Sequence, residues 1–176
     1  METWSTSVSK KNGSLRPCGN YRRLNTQMIP DRYPIPRIED FHHILKKKTK
    51  IFSKIDLFKA YFQIPISVEA KEKTAIITPF GLYELNVISF GLRNAPSTFQ
   101  RFINEVFFGL DFVFAYLDDI LVASSTEDEH SKRMKVVLLS IRAIWSSYKS
   151  WKVGYGSESI RISRTHDYFE RIETPS

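Results

Sequence analysis

The stretch "FVFAYLDDILVAS", Phe112–Ser124, sets two adjacent carboxylates, Asp118 and Asp119, inside an otherwise apolar run. An ionised carboxylate in such surroundings is costly unless it is paired, hydrogen-bonded or metal-bound. Two neighbours also repel each other. A hairpin that only had to turn would use Asn-Gly or Asp-Gly, so the bland alternative is a polar turn that happens to carry two acids. A third acid changes the balance. Asp56 stands near the C-terminal end of a second apolar segment, "KIFSKIDLF". Alternation there puts Ile51, Ser53, Ile55 and Leu57 on one face of a strand and Phe52, Lys54 and Asp56 on the other. If that strand lies beside Val113–Leu117, Asp56 and Asp118 converge at the sheet surface. Carboxylates gathered without thiols or imidazoles suit hard oxygen-seeking cations such as Mg²⁺. Two such ions about 3.5–4 Å apart can activate an attacking oxygen and stabilise a leaving one in phosphoryl transfer. Without metal, the hairpin tip is expected to be strained and one acid to take up a proton.

The elements that must hold these acids follow from pattern. "KKNGS" (Lys10–Ser14) reads as a hairpin turn, with Asn-Gly at the positive-φ positions. Pro30, Pro34 and Pro36 make "IPDRYPIPR" a connector that cannot pair regularly. Ile38, Phe41, Ile44 and Leu45 fall near helical spacing, predicting a short amphipathic helix. "TAIITPFGLYELNVI" reads as two strands joined around Pro79–Gly81. A longer helix follows, with Asn94 as cap, Pro96 in its first turn and Phe99, Phe102, Ile103, Val106 and Phe107 as a core-facing stripe. Strand, tight turn and strand carry Asp118 and Asp119. Then "TEDE" offers a capping box from Thr126 to Glu129, opening a helix that turns Met134, Val137, Leu138 and Ile141 to the core. Mixed order of this kind predicts an α+β domain, a sheet with helices on one face.

With 176 residues, 42% of them hydrophobic, the chain suffices for one domain with a real core. Lys and Arg number 26 against 19 Asp and Glu, a net charge of +7 that suits a polyanionic partner such as nucleic acid. Cys18 is the only cysteine, which excludes a disulfide framework and a Cys-rich metal site and fits a reducing compartment. His42, His43, His130 and His166 lack ligand spacing. No apolar stretch is long enough to span a membrane, and the N-terminus lacks the apolar core of a signal peptide, so an intracellular, cytoplasmic location is expected.

The surroundings of the acids suit a nucleotide. Lys10, Lys11 and Arg16 lie on or beside the first hairpin, where they could reach a triphosphate. Tyr61 and Phe62 follow Asp56 closely enough to bring a ring against a sugar, and the Leu57–Ala60 backbone could offer N–H groups to phosphates. "SFGLRNAPSTFQ" ends in a helix N-terminus suited to an anion. Each also has an ordinary structural explanation, namely solubilising lysines, a core tyrosine and a plain Phe90–Gly91 turn.

With these motifs in hand, the chain resembles the fingers-and-palm part of a reverse transcriptase from a gypsy-type LTR retrotransposon and, more distantly, a retroviral one. The likeness runs from about Lys10 to about Leu139. It rests on "LRPCGNYRRLN", "IPDRYPIPRIED", "FSKIDLFKAYFQIPI", "KTAIITPFGLYE", "FGLRNAPSTFQRFIN" and "FAYLDDILVAS", in that order. The resemblance implies an RNA-directed DNA polymerase of the right-hand type that adds dNTPs to a primer on an RNA or DNA template. Its antiparallel palm sheet would be covered by helices on one face, with the thumb missing. It implies Asp56 and Asp118 as the main ligands of two Mg²⁺ ions and Asp119 as a third acid near the primer terminus. Tyr61 would be the gate against a ribose 2′-hydroxyl. Lys11 and Arg16 would contact the triphosphate, Phe90–Gly91 would line the nucleotide pocket, and Leu57 and Tyr116 would adjoin it. The rest of a Pol polyprotein, RNase H and integrase included, would be a partner. Leu15 and Asn20 depart from the Trp and Asp usual in the family's fingers, and neither supplies a metal ligand. A non-catalytic basic nucleic-acid-binding module is the alternative. Another two-metal palm enzyme such as a nucleotide cyclase fits less well, because the likeness extends through the fingers.

The end of the chain departs further. The family continues with segments like "YGLRIN" and "EFLGH", whereas this chain reads "AIWSSYKSWKVGYGSESIRISRTHDYF". "AIWSSYK" can be encoded so that reading one base later yields "QYGLRIN", and "IRISRTH" likewise yields "FEFLGH". Residues 1–141 are therefore expected to form a truncated fingers/palm domain. Residues 142–176 are expected to be a frameshifted, poorly ordered tail, which would leave an inactive remnant.

Overall fold

The structure, a computed structural model, describes residues 6–9, 15–41, 49–57, 60–148 and 160–164. Along the chain the elements are β1 (Thr6–Ser9), β2 (Leu15–Cys18), α1 (Arg22–Gln27), β3 (Ile51–Leu57), α2 (Val68–Lys71), β4 (Ile76–Thr78), β5 (Gly81–Tyr83), α3 (Ala95–Val106), β6 (Val113–Tyr116), β7 (Asp119–Ser124), α4 (Glu127–Tyr148) and β8 (Ile160–Arg164). Two units form, Met1–Tyr33 with Lys59–Phe99, and Pro34–Phe58 with Gln100–Ser176.

In the first unit, β1 and β2 pair antiparallel from Thr6↔Cys18 to Ser9↔Leu15. The expected Asn-Gly turn lies between them, outside the described residues. β4 and β5 make the second expected hairpin, closing at Thr78↔Gly81. Gly81 there has φ +135°, a conformation that glycine adopts without steric cost. The proline-rich connector has no strand partner, so its backbone groups need side chains. Asn94 supplies two of them, its amide donating to the Ile29 carbonyl at 2.9 Å and its carbonyl accepting from the Asp31 N–H at 3.0 Å. Asn94 therefore starts α3 through its backbone carbonyl, which accepts from the Thr98 N–H at 2.9 Å. The side-chain cap expected from the sequence is diverted to the connector.

The second unit is built on a four-stranded antiparallel sheet in the order β6-β7-β3-β8. The strand carrying Asp56 thus lies beside β7, not beside Val113–Leu117 as the sequence suggested. The reason is burial. Ile120, Val122, Ala123 and Ser124 of β7 are all enclosed, whereas β6 buries only Ala115, so β7 takes the interior position and β6 the outer one. One sheet face buries Ile55, Ile120 and Val122 completely, and from α4 Val137 and Ile141 are buried too. On the opposite face Phe52 and Ala123 pack with Phe114 and Leu121 at one end of the strands, leaving Lys54, Asp56 and Asp119 at the other.

Of the predicted helix after the connector, a single 3₁₀ turn, Ile38–Phe41, is described; His42, His43, Ile44 and Leu45 lie outside the described residues. α4 opens as "TEDE" requires. Thr126 Oγ1 accepts from the Glu129 N–H at 3.3 Å, while Glu129 reaches back to the Ser125 N–H at 2.8 Å, one residue beyond the usual reciprocal partner. Inside the unit, His130 is buried with its two ring nitrogens 2.8 Å from Ser53 Oγ and 3.0 Å from Ser124 Oγ, tying α4 to β3 and β7. The boundary expected near residue 141 falls inside α4, which continues to Tyr148, and Ile160–Arg164 of the tail pairs with β3. Among the described residues no helix is long and apolar enough to cross a membrane.

Candidate active site

β3 and β7 run antiparallel with Asp56 directly opposite Asp119, and β6 sets Tyr116 opposite Asp119 on the other side. Residues paired in register share a face of the sheet, so Tyr116, Asp119 and Asp56 form one row across three strands. On the far side of β3, Arg161 is the residue in register with Asp56. Asp118 sits beside the row in the two-residue turn Leu117–Asp118. Leu117 has φ +50°, a left-handed conformation that costs a non-glycine residue about 1–2 kcal/mol. The Leu57 N–H donates to the Asp118 carbonyl at 3.0 Å and locks the turn to the end of β3. That bond corrects the expectation that Leu57 offers its N–H to a phosphate, because the group is already used within the sheet.

At the tip, burial weighs most on the Asp118 carboxyl, with like charge beside it. Partial burial of the Asp118 carboxyl raises its pKa above the ordinary carboxylate value, and the charges of Asp119 and Asp56 add to the rise. Its own backbone N–H and the Lys54 ammonium oppose the shift. Lys54 Nζ lies 2.8 Å from Asp119 Oδ2, both side chains being partly exposed.

A family model for "Reverse transcriptase (RNA-dependent DNA polymerase)" matches residues 8–153. The chain belongs to the reverse transcriptase family. It is 41% identical over 129 residues to an RNA-directed DNA polymerase homolog of Oenothera berteroana, a match covering 70% of this chain and 90% of that protein. It is 42% identical over 126 residues to the retrovirus-related Pol polyprotein from transposon 297 of Drosophila melanogaster, covering 69% of this chain. The chain spans 12% of that polyprotein's length. A foamy viral protease-reverse transcriptase in complex with ds DNA has the same fold, with a TM-score of 0.74 at 23% identity over 82% of this chain and 25% of that one. The α+β architecture is thus that of a partial polymerase fingers and palm.

Reverse transcriptases generally use divalent metal ions. The donor set fits such an ion in kind, being three carboxylates whose mutual repulsion a cation would relieve. It is not gathered into a cage. Among the described residues no three His, Cys, Asp or Glu side chains stand together closely enough to hold a metal, and Asp119 is engaged by Lys54.

The other sequence-derived positions divide between the two units. In the first unit, Tyr61 packs edge-on against Phe90 with ring centroids 5.0 Å apart and against Phe99 at 5.6 Å. Gly91 has φ +97°, and a Cβ there would come within 2.9 Å of the Gly19 carbonyl oxygen, so glycine is required on two counts. Tyr116 is half-buried beside Asp119 in the second unit. Arg16 lies on β2, while Lys10 and Lys11 lie outside the described residues.

Two residues of the site escaped the sequence reading. Lys54 was visible on the Asp56 face, but its pairing with Asp119 required the strand register. Gln100, fully buried at the end of "APSTFQ", donates from Nε2 to the Ala115 carbonyl at 2.9 Å and accepts from the Leu117 N–H at 2.8 Å. A glutamine on an apolar helix stripe was the available signal.

The shift at Asp118 sets a pH dependence. A carboxyl whose folded-state pKa lies above its unfolded one binds its proton more tightly when folded, so stability falls as pH rises through that interval. In metal-free protein, urea midpoints should decline for wild type relative to Asp118→Asn as pH rises from 3.8 to the folded pKa, then run parallel. Curves parallel throughout would remove the raised Asp118 pKa, and with it the account of a carboxyl burdened by burial and like charge.

Proposed function

We propose that this chain is the fingers and palm of a gypsy-type LTR retroelement reverse transcriptase. Its chemistry would be template-directed transfer of a dNTP nucleotidyl group to a primer 3′-OH. Asp56 and Asp118 would hold two Mg²⁺ ions, with Asp119 as the third acid. When bound, the ions would lower the pKa of the attacking hydroxyl and neutralise charge on the leaving group. The observation that carries this reading is the row Tyr116–Asp119–Asp56 with Asp118 at its turn, in a chain of the reverse transcriptase family. Tyr61, Phe90, Gly91, Tyr116 and Leu57 would be the residues that bind the dNTP. Lys11 and Arg16 would contact its triphosphate, and an RNA or DNA template-primer and the rest of a Pol polyprotein would be the partners.

Residues 142–176 would be a frameshifted readout, for which the recoverable "QYGLRIN" and "FEFLGH" segments are the support. The in-frame chain then lacks the family's primer-gripping segment, and positioning of the primer end is what phosphoryl transfer depends on. The expected result of a primer-extension assay with Mg²⁺ is therefore little or no synthesis, and robust processive synthesis would refute the inactive-remnant proposal. The underlying nucleotide sequence tests the frameshift directly, since a failure of any single-base shift to restore both segments removes it. The second reading, a basic nucleic-acid-binding module with structural acids, is favoured by the Lys54–Asp119 ion pair. On that reading Asp118→Asn leaves both nucleic-acid binding and metal binding essentially unchanged.

A further inference from the structure

We infer that Gln100 is a positioning residue for the acid-bearing turn, acting from α3 on the outer edge of β6. The Ala115 carbonyl and Leu117 N–H are two residues apart, so both project from the same edge of the strand. In the described sheet β6 is outermost, with β7 on its other side. The side-chain amide of Gln100 meets both groups, at 2.9 Å and 2.8 Å, as one peptide unit of a further strand would. Its second amide hydrogen goes to Asn104 Oδ1 at 3.0 Å, one turn along the same helix. The three bonds fix the orientation of the amide, because a flipped group would set donor against donor at Leu117 and acceptor against acceptor at Ala115 and Asn104.

The Gln100 side chain is fully buried, and its bond to the Ala115 carbonyl is made away from competing water, while those to Leu117 and Asn104 are partly buried. Leu117 is also the residue forced to φ +50°, and an unfavourable backbone conformation persists only where its surroundings over-determine it. Gln100 supplies that constraint from one side while the Leu57 N–H holds the Asp118 carbonyl from the other. The direction in which Asp118 and Asp119 leave the sheet is set between these two anchors. This inference deepens the proposed metal-dependent function and rests on it for its consequence, though not for its geometry.

The test uses the full chain and compares Gln100→Leu with Val137→Ala, a control that opens a cavity beside α4 and removes no side-chain hydrogen bond. Amide hydrogen exchange is measured at Leu117 and at Val122, and Mn²⁺ affinity is measured at a pH and temperature where all variants are folded. The positioning role requires Leu117 exchange to rise roughly tenfold or more in Gln100→Leu beyond any change at Val122. It also requires Mn²⁺ affinity to fall several-fold, with neither effect in Val137→Ala. Equal changes at Leu117 and Val122, as a generally loosened fold produces, would overturn it. If Gln100→Leu does not fold, Asn104→Ala removes the acceptor that orients the amide, and a selective rise at Leu117, of smaller size, is required there. Should wild type bind no Mn²⁺, the metal reading fails while the exchange data still decide the positioning role.

Discussion

Asp118→Asn is expected to weaken Mn²⁺ or Mg²⁺ binding by about tenfold or more, because hard cations are held chiefly by the number of charged oxygen donors. Asp118 is the acid at the turn, with its carboxyl pushed up by burial and by Asp119 and Asp56. A divalent ion would offset both the burial and the repulsion that make its ionised form unfavourable, so its charge matters more to binding than that of a relaxed surface carboxylate. Asp56→Asn should behave similarly, since Asp56 is exposed at the end of β3 and directly across from Asp119. Asp119→Asn should cost less, because part of the Asp119 charge is already offset by Lys54 at 2.8 Å. The order matters as much as the size. Isothermal titration or Mn²⁺ electron paramagnetic resonance on folded protein gives both, and an Asp118→Asn variant that binds within twofold of wild type would end the metal-centre proposal. Loss of fold is not an escape from this test. Removing a carboxylate whose ionised form is disfavoured by burial and like charge should leave the metal-free protein equally stable or slightly more so.

Ile120→Ala should carry the largest stability cost of any substitution beside the site. Ile120 follows Asp119 on β7, is fully buried, and lies in register between Ile55 on β3 and Ala115 on β6. Truncating a buried isoleucine leaves a cavity and loses its transfer free energy, together about 2–5 kcal/mol. A loss of that size is a large fraction of the stability of an ordinary domain. The strands cannot close the gap readily, since β7 is held by pairing on both sides. Urea unfolding followed by circular dichroism measures the effect, and a loss below about 1 kcal/mol would mean that the sheet core is not packed as described. Ile55→Ala should cost a similar amount, and the double variant should fall short of the sum, because the two side chains face one another across the strands.

How much of this was legible beforehand follows from range. The strand Ile51–Leu57, the hairpin bearing Asp118 and Asp119, the Pro79–Gly81 turn and the Thr126 start of α4 are local events. Side-chain alternation, turn residues and capping groups act over a few positions and can be read directly. The chemistry of the acids was legible for the same reason, since carboxylates in an apolar run demand compensation wherever the run folds. Family motifs in sequence order then identified the reverse transcriptase class.

What the sequence could not decide is which strand lies beside which. Alternation says that Asp56 faces outward from its strand, but not that β7 rather than β6 is its neighbour, because alternation is a property of one strand and pairing depends on contacts between distant segments. Only the assembled sheet put Asp56 opposite Asp119, turned Lys54 onto Asp119, and committed the Leu57 N–H to the Asp118 carbonyl. The diversion of Asn94 to the connector and the reach of Gln100 to the turn belong to the same class. A polar side chain bonds whatever unpaired backbone group the fold brings to it, and that partner lies 15 to 65 residues away in the chain. Residue types and their local spacing identified the family and named the acids that any chemistry here would use. Long-range strand pairing settled which atoms meet, because hydrogen bonds are short and the contacts that set them are made only once the sheet has closed.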